Sequence, residues 1–178
     1  MNAEAAAKEV ARLLVERNEK LVLAESCTAG NIAATLGRID GISNNFCGSA
    51  VVYRPETKKE WLAVTDKTID KHTCESLACA IKIATGVLES TPEATWALGI
   101  VGHIGAGAPK EVDGDIYVCI AKRKKNGKIK VRYTFEGSVK PISGRHARQG
   151  AATEIGLSAL AQDLQRKSNT NKNGKKHG

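Results

Sequence analysis

Three short apolar runs, set between segments with helical periodicity, constrain the fold more than any other feature of the chain. The runs are LVLA at residues 21–24, CGSAVVY at 47–53 and WALGIV at 96–101, and they are typical of strands inside a sheet. Amphipathic helices are predicted at residues 3–18, 28–36 and 73–88. Alternation of this kind predicts an α/β fold with parallel strands.

The second half of the chain predicts antiparallel strands as well. Residues 115–121 and 128–135 flank Asn126-Gly127, a strong hairpin signal, and residues 145–164 predict a last helix. Shorter helical segments are predicted at 56–64 and 66–72. The whole order predicts a three-layer α/β/α sandwich with a mixed sheet. We expect one domain over residues 1–165 and a basic, disordered tail over 166–178.

Composition narrows the class of protein. A chain of 178 residues suits one domain, and no apolar stretch is long enough to cross a bilayer. The charged, amphipathic N-terminus lacks the apolar block of a signal peptide, so we expect a soluble cytoplasmic protein without a membrane partner. Five cysteines without a Cys-x-x-Cys pair argue against a disulfide framework and against a zinc site.

The net charge of +8 raises the question of nucleic-acid binding. Much of the surplus lies in the tail, and a second basic cluster surrounds the predicted hairpin, where lysines are usually solvated. The chain has two Phe, three Tyr and two Trp, too few for a base-stacking surface. These observations argue against specific nucleic-acid binding. The basic residues of the tail are Arg166, Lys167, Lys172, Lys175 and Lys176.

Ligand sites in open α/β sheets form where strands end and helices begin, and the first such place reads AESCTAG. Free backbone N–H groups at a helix N-terminus can bind an anion or a developing oxyanion. Two interpretations stay open here. Ser26 or Thr28 caps the helix, or Ser26 is a nucleophile with Cys27 as its rival.

Two further strand ends carry candidate groups. Tyr53 is followed by Lys58 and Lys59, and a lysine in a cleft can act as the base for a serine, although most lysines in such turns are solvated. The third place reads GHIGAGAP, which matches no P-loop and no convincing dinucleotide fingerprint. His103 in this loop is either an incidental residue or a base or ligand. No metal and no cofactor is predicted.

The segments AESCTAG, DGISNNF and GSAVVYRPETKKEWLAV resemble the C-terminal domain family of competence/damage-inducible protein CinA. TCESLACAIKIATGVL, WALGIV and RHARQGAATEIGLSAL follow in the family's order, so the resemblance covers residues 6–164. It implies hydrolysis of the carboxamide of nicotinamide mononucleotide, with no metal, to nicotinate mononucleotide and ammonia. The implied partners are this small-molecule nucleotide and further copies of the chain in a homo-oligomer.

The resemblance also implies roles for particular residues. It makes Ser26 the nucleophile and assigns Lys58 and Tyr53 to the base. It places the Gly and Ser of a family loop at Gly41 and Ser43, whose backbone is a candidate for oxyanion binding. The remaining candidates for substrate binding are Thr28 and Gly30 in the first turn, and Arg148 or Arg145 near the C-terminus.

Several positions depart from the family pattern. Ala29 stands in place of a glycine, and Arg54 and Pro55 stand where Ser and Asn are usual. Val101 replaces a threonine that helps to bind substrate, and the loop after it is recast. The sequence leaves three hypotheses: a serine-type amidase of the nicotinamide-nucleotide class, a divergent member that binds a nucleotide or partner without efficient turnover, and a basic nucleic-acid-associated protein.

Overall fold

A computed structural model describes the backbone of residues 1–172 and the side chains of residues 1–166. The helices are α1 (Ala3–Arg17), α2 (Asn31–Gly37), α3 (Pro55–Leu62), α4 (Asp66–His72), α5 (Leu77–Glu89) and α6 (Arg145–Lys172). The strands are β1 (Leu21–Glu25), β2 (Phe46–Val51), β3 (Trp96–Gly102), β4 (Asp115–Arg123) and β5 (Ile129–Ser138). A single 3-10 turn, Ile42–Asn44, precedes β2.

The five strands form one mixed sheet in the order β2-β1-β3-β4-β5. Strands β2, β1 and β3 run parallel, and β4 and β5 extend the sheet as an antiparallel pair. One face packs against α1, α2 and α6, and the other packs against α3 and α5. The predicted three-layer α/β/α sandwich with a mixed sheet is therefore confirmed.

Burial on both faces explains the apolar run of β1. Leu21 and Leu23 point into the core beneath α1 and α6, whereas Val22 and Ala24 point into the core beneath α5. Every residue of the strand is buried. Since successive side chains of a strand point to opposite faces, a strand in the middle layer has no position that favours a polar residue.

Two predicted helix starts move because the backbone before them is left-handed. Helix α2 begins at Asn31 and not near Thr28, since Ala29 and Gly30 have φ values of 52° and 92°. Helix α5 begins at Leu77 and not at residue 73, since Thr73 has a φ of 67° and Ser76 caps the helix. The predicted elements are correct, but the turns that precede them are longer than expected.

The last helix is longer than predicted. Helix α6 continues past residue 164 to Lys172, so the backbone of residues 166–172, predicted as disordered tail, is helical. The rest of that predicted tail, residues 173–178, lies outside the described residues. The predicted hairpin is confirmed, with Gly127 at a φ of 79° in the turn between β4 and β5. Within residues 1–172, no helix is both long and apolar enough to span a membrane.

Candidate active site

The candidate nucleophile Ser26 lies directly after β1, at the carboxyl ends of the three parallel strands. Its backbone N–H donates to the carbonyl of Ile100 on β3 at 3.0 Å, which fixes the chain as it leaves the sheet. The side chain is 6% exposed. The neighbouring β3 ends in the glycine-rich loop, and β2 is followed by Tyr53 and Lys58, so the three strand ends predicted from the sequence meet at this place.

Lys58 supplies the polar partner of Ser26. Helix α3 begins at Pro55, and its first turn carries Lys58 back toward the end of β1. The side chain is fully buried, and its Nζ donates to Ser26 Oγ at 3.1 Å and to the carbonyl oxygen of Tyr53 at 3.4 Å. The structure therefore brings together the two residues predicted as nucleophile and base, although 32 positions separate them.

The Glu25 carboxylate occupies the N-terminus of α2, where the sequence predicted free amides. It accepts hydrogen bonds from the backbone N–H groups of Gly30, Ile32 and Ala33 at 3.1, 3.1 and 2.9 Å. Thr28 Oγ1 donates to it at 2.7 Å, and Ser49 Oγ donates at 3.0 Å. The expectation that these amides bind an anionic ligand is thus wrong. Thr28 and Gly30, predicted to bind substrate, are hydrogen-bonded to Glu25.

Tyr53 and Arg145 stand at the mouth of the site. Tyr53 is 49% exposed, and its hydroxyl accepts a hydrogen bond from the Arg145 guanidinium, which also lies 5.8 Å from the centre of the ring. The phenol therefore contacts Arg145, whereas Lys58 contacts only the backbone of Tyr53. Gly105 lies close to the Arg145 side chain, and a Cβ at this glycine would lie only 3.0 Å from Nη1.

The two candidate arginines have different surroundings. Arg148 forms a bidentate pair with Asp113, at 2.5 and 3.1 Å, and donates to the carbonyl of Ile142 at 2.7 Å. This pairing lowers the pKa of Asp113 below its ordinary value. Arg145 instead lines the same cavity as Ser26. The structure favours Arg145 over Arg148 as the arginine of the site.

Ser26 opens into a cavity of about 430 Å³ beneath the loop that follows β3. The loop was predicted to face the site, and residues 102–105 and 107–109 line it. Val101, by contrast, is fully buried in the core beneath α5, so its side chain does not line the cavity. The polar side chains in the lining are those of Ser26, Cys27, Tyr53, Glu75, His103 and Arg145.

The structure weighs against Cys27 as the nucleophile. Its side chain is 4% exposed, and burial raises the pKa of the thiol to about 12. Because the thiolate is the reactive form of cysteine, a thiol with this pKa is inert at neutral pH. Its carbonyl oxygen accepts a hydrogen bond from Gln149 Nε2 on α6 at 3.2 Å, which ties the turn to the last helix.

Gly41 and Ser43 do not join this site. They lie in the turn before β2, and Phe46 at the start of β2 pairs with Leu21 at the start of β1. Since β1 and β2 are parallel, this turn lies at the opposite end of β1 from Ser26, roughly 16 Å away at 3.3 Å per residue. The expectation that their backbone surrounds the reacting group is not met within one chain.

Sequence reasoning missed three residues around the nucleophile. These residues are Glu25, Glu75 and Gln149. The adjacency of Glu25 to a turn before a helix was an available signal, since a carboxylate there can accept several amide hydrogen bonds. Glu75, just before α5, and Gln149, on α6, reach the site through tertiary packing. Among the described residues, no three His, Cys, Asp or Glu side chains are grouped to hold a metal ion.

The model of the CinA C-terminal domain family matches residues 3–163 of the chain. A CinA-like protein of Thermotoga neapolitana is 32% identical over 149 residues, covering 83% of this chain and 36% of that protein. A CinA-like protein of Endomicrobium trichonymphae is 37% identical over 136 residues, covering 75% of this chain and 31% of that protein. The chain therefore spans about a third of the length of these curated relatives.

Solved structures agree with this similarity. Competence damage-inducible protein A from Klebsiella pneumoniae superimposes with a TM-score of 0.82 at 26% identity, covering 92% of this chain and 98% of that one. The competence/damage inducible protein CihA from Agrobacterium tumefaciens also superimposes with a TM-score of 0.82, at 25% identity, covering 92% and 96% of the two chains.

Proposed function

Because the chain belongs to the CinA C-terminal domain family, we propose that it is a serine amidohydrolase that deamidates nicotinamide mononucleotide. The products are nicotinate mononucleotide and ammonia. The observation that carries the proposal is the contact of the buried Lys58 amine with Ser26 Oγ at 3.1 Å. A serine paired with a lysine is one of the arrangements that activate a hydroxyl for attack on an acyl group.

The chemistry follows from this pair. The Lys58 amine takes the Ser26 proton as Oγ bonds to the carboxamide carbon, and the carbonyl oxygen becomes an oxyanion. Collapse of this intermediate breaks the C–N bond, and Lys58 returns the proton to the departing ammonia. A water molecule, deprotonated by Lys58, then attacks the ester on Ser26. This step releases the carboxylate product and returns the proton to Ser26.

The charge around the cavity suits a phosphorylated substrate. A second cavity of about 520 Å³ adjoins the first and shares Ile104, Ala108 and Arg145 with it. Its walls carry four cations and one acid, and phosphate binds well to guanidinium and ammonium groups. We propose that the carboxamide enters at Ser26 and the phosphate lies toward this second cavity. The charged wall residues are Lys110, Asp113, Lys140, Arg145 and Arg148.

The experiment is ammonia release from nicotinamide mononucleotide by the parent protein and by Ser26→Ala and Cys27→Ala. We expect Ser26→Ala to lower kcat by about 10³-fold or more, because it removes the nucleophile. Cys27→Ala removes a thiol that is about as buried as Ser26, and it should keep activity within a few-fold of the parent. Loss of turnover with Cys27→Ala alone would falsify the assignment of the nucleophile.

The role of Lys58 is tested with a neighbouring lysine as the control. Lys58→Met keeps the length and apolar stem of the side chain but removes the base, so kcat should fall by about 10²- to 10⁴-fold. Lys59→Met removes a partly exposed lysine that pairs with Asp66 at 2.6 Å, and it should leave kcat unchanged. Equal rates for the two variants would contradict the proposed base.

A family member that binds the nucleotide without efficient turnover is the other outcome. It would be recognised by binding of nicotinamide mononucleotide to the parent with no ammonia released.

The homo-oligomer expected from the resemblance stays a prediction, and sedimentation of the chain as a monomer at micromolar concentration would contradict it.

A further inference from the structure

Glu75 is the acidic side chain of the Ser26 cavity, and the proposed mechanism gives it no role. The residue is half-buried just before α5 and lines the cavity with Ser26, Tyr53 and Arg145. It does not cap the helix, because Ser76 Oγ accepts the hydrogen bond from the amide of Cys79. Among the described side chains, none forms a hydrogen bond or ion pair with the Glu75 carboxylate.

Glu75 and Arg145 place opposite charges in the lining of one cavity. Arg145 is engaged with the Tyr53 hydroxyl, whereas Glu75 lines the cavity without an ion pair to a described side chain. A carboxylate removed from part of its water is stabilised by a cation or a hydrogen-bond donor nearby. The ligand that completes this arrangement carries a positive group close to its reacting carboxamide and a negative group farther away.

We propose that Glu75 makes the site selective for an aromatic carboxamide with a positively charged ring. The inference rests on the proposed function, because nicotinamide mononucleotide carries a cationic pyridinium next to its carboxamide and a phosphate at its other end. With the carboxamide at Ser26, the ring stays inside the cavity that Glu75 lines. The carboxylate then stabilises the bound cation, while Arg145 remains on the side of the phosphate.

The test compares two substrates that differ in ring charge. Nicotinamide mononucleotide has a cationic ring, and its reduced dihydropyridine form has the same carboxamide, ribose and phosphate with an uncharged ring. Glu75→Gln keeps the size of the side chain and removes its charge. We expect it to lower kcat/KM for the cationic substrate by about tenfold and to leave kcat/KM for the reduced substrate within about twofold.

The control is Glu56→Gln, on α3. Glu56 is exposed and pairs with Arg54 at 3.3 Å, so it lies outside the cavity lining and should change neither substrate. The intrinsic reactivity of each substrate is the same whichever variant is assayed. Only a change in the ratio of kcat/KM for the two substrates therefore reports on Glu75. An equal loss on both substrates, or an unchanged ratio in Glu75→Gln, overturns the inference.

Failure of the inference and failure of the proposed function give different results. If the parent releases ammonia but Glu75→Gln keeps the parent's ratio, the amidase stands and the role of Glu75 is wrong. If the parent releases no ammonia, the amidase is wrong, and calorimetric binding of both nucleotides to parent and Glu75→Gln tests the charge recognition alone. The inference is overturned if Glu75→Gln does not weaken binding of the cationic nucleotide relative to the reduced one. It is also overturned if neither nucleotide binds.

Discussion

At the scale of single residues, the turn that presents Ser26 passes through two successive left-handed positions. Gly30 adopts a φ of 92° without steric cost, but Ala29 is held at 52°, where a Cβ crowds the carbonyl oxygen that follows it. The family pattern has glycine at position 29. Ala29 therefore holds backbone strain that a glycine at this position would not have.

Ala29→Gly should relieve this strain. We expect the free energy of unfolding to rise by up to about 1 kcal/mol, after the greater entropy of glycine in the unfolded chain is taken into account. Ala34→Gly is the matched control, because Ala34 lies exposed within α2 and glycine there should cost about 1 kcal/mol. Urea unfolding of the three proteins measures both changes. A loss of stability with Ala29→Gly would show that the turn is not strained at this residue.

The residues of the site differ in how well the sequence predicted them. Ser26 and Lys58 carry short motifs that the resemblance could place, and the structure joins them at 3.1 Å. Glu25 lies beside a turn before a helix, but no motif predicts its partners, because the partners of a carboxylate depend on where the chain turns after the strand. The sequence also could not decide between Arg145 and Arg148, which are three positions apart on α6. Their partners differ in the fold, where Arg148 pairs with Asp113 and Arg145 contacts Tyr53.

At the scale of elements, a single carboxylate holds the short helix α2 in place. Glu25 accepts hydrogen bonds from three amides around the start of α2, from Thr28 in the turn and from Ser49 on β2. Helix α2 has seven residues, too few to be stable by itself. The position of the Ser26 turn therefore depends on this cluster of hydrogen bonds as well as on the sheet.

Glu25→Gln should disturb the helix and the nucleophile together. The amide group turns one acceptor into a donor that faces other donors, so we expect a loss of about 3 kcal/mol in the free energy of unfolding. Thr28→Val removes one donor and keeps the carboxylate, and it should cost about 1–2 kcal/mol. Urea unfolding measures both changes. In assays of ammonia release, Glu25→Gln should lower kcat by a larger factor than it changes KM. Parent-like stability in Glu25→Gln would contradict the role assigned to the cluster.

The elements themselves were predictable from their apolar periods, but the placement of loops was not. Gly41 and Ser43 were assigned to the site because the resemblance matches them to the Gly and Ser of a family loop. In a parallel strand pair, however, the loop that leads into the second strand ends at the amino edge of the sheet. Phe46 pairs with Leu21, and so this turn lies away from Ser26. Strand direction, which a local pattern does not contain, decided the outcome.

At the scale of the whole molecule, the core keeps reduced thiols away from water. Cys79 on α5 and Cys119 on β4 are fully buried in the core beneath α5, and Cys27 is buried beside the cavity. Burial raises the pKa of each of these thiols to about 12. In the unfolded chain the same groups ionise near the ordinary value of about 8.5.

This difference makes the stability of the fold depend on alkaline pH. Above the unfolded pKa, the unfolded chain holds fewer protons than the folded chain, so the free energy of unfolding falls as pH rises toward the folded pKa. The stabilisation is fully present below the unfolded value and is lost between about pH 9 and pH 12. Each thiol contributes a slope of about 1.4 kcal/mol per pH unit in this window.

Cys119→Ala isolates one of these contributions. Urea unfolding between pH 8 and about pH 11 should show a slope that is shallower than that of the parent by about 1.4 kcal/mol per pH unit above pH 9. Val118→Ala, a buried neighbour on the same strand, should lower stability by the loss of packing at every pH and keep the slope of the parent. If Cys119→Ala keeps that slope as well, the thiol ionises as easily in the folded core as in the unfolded chain, and burial does not control it.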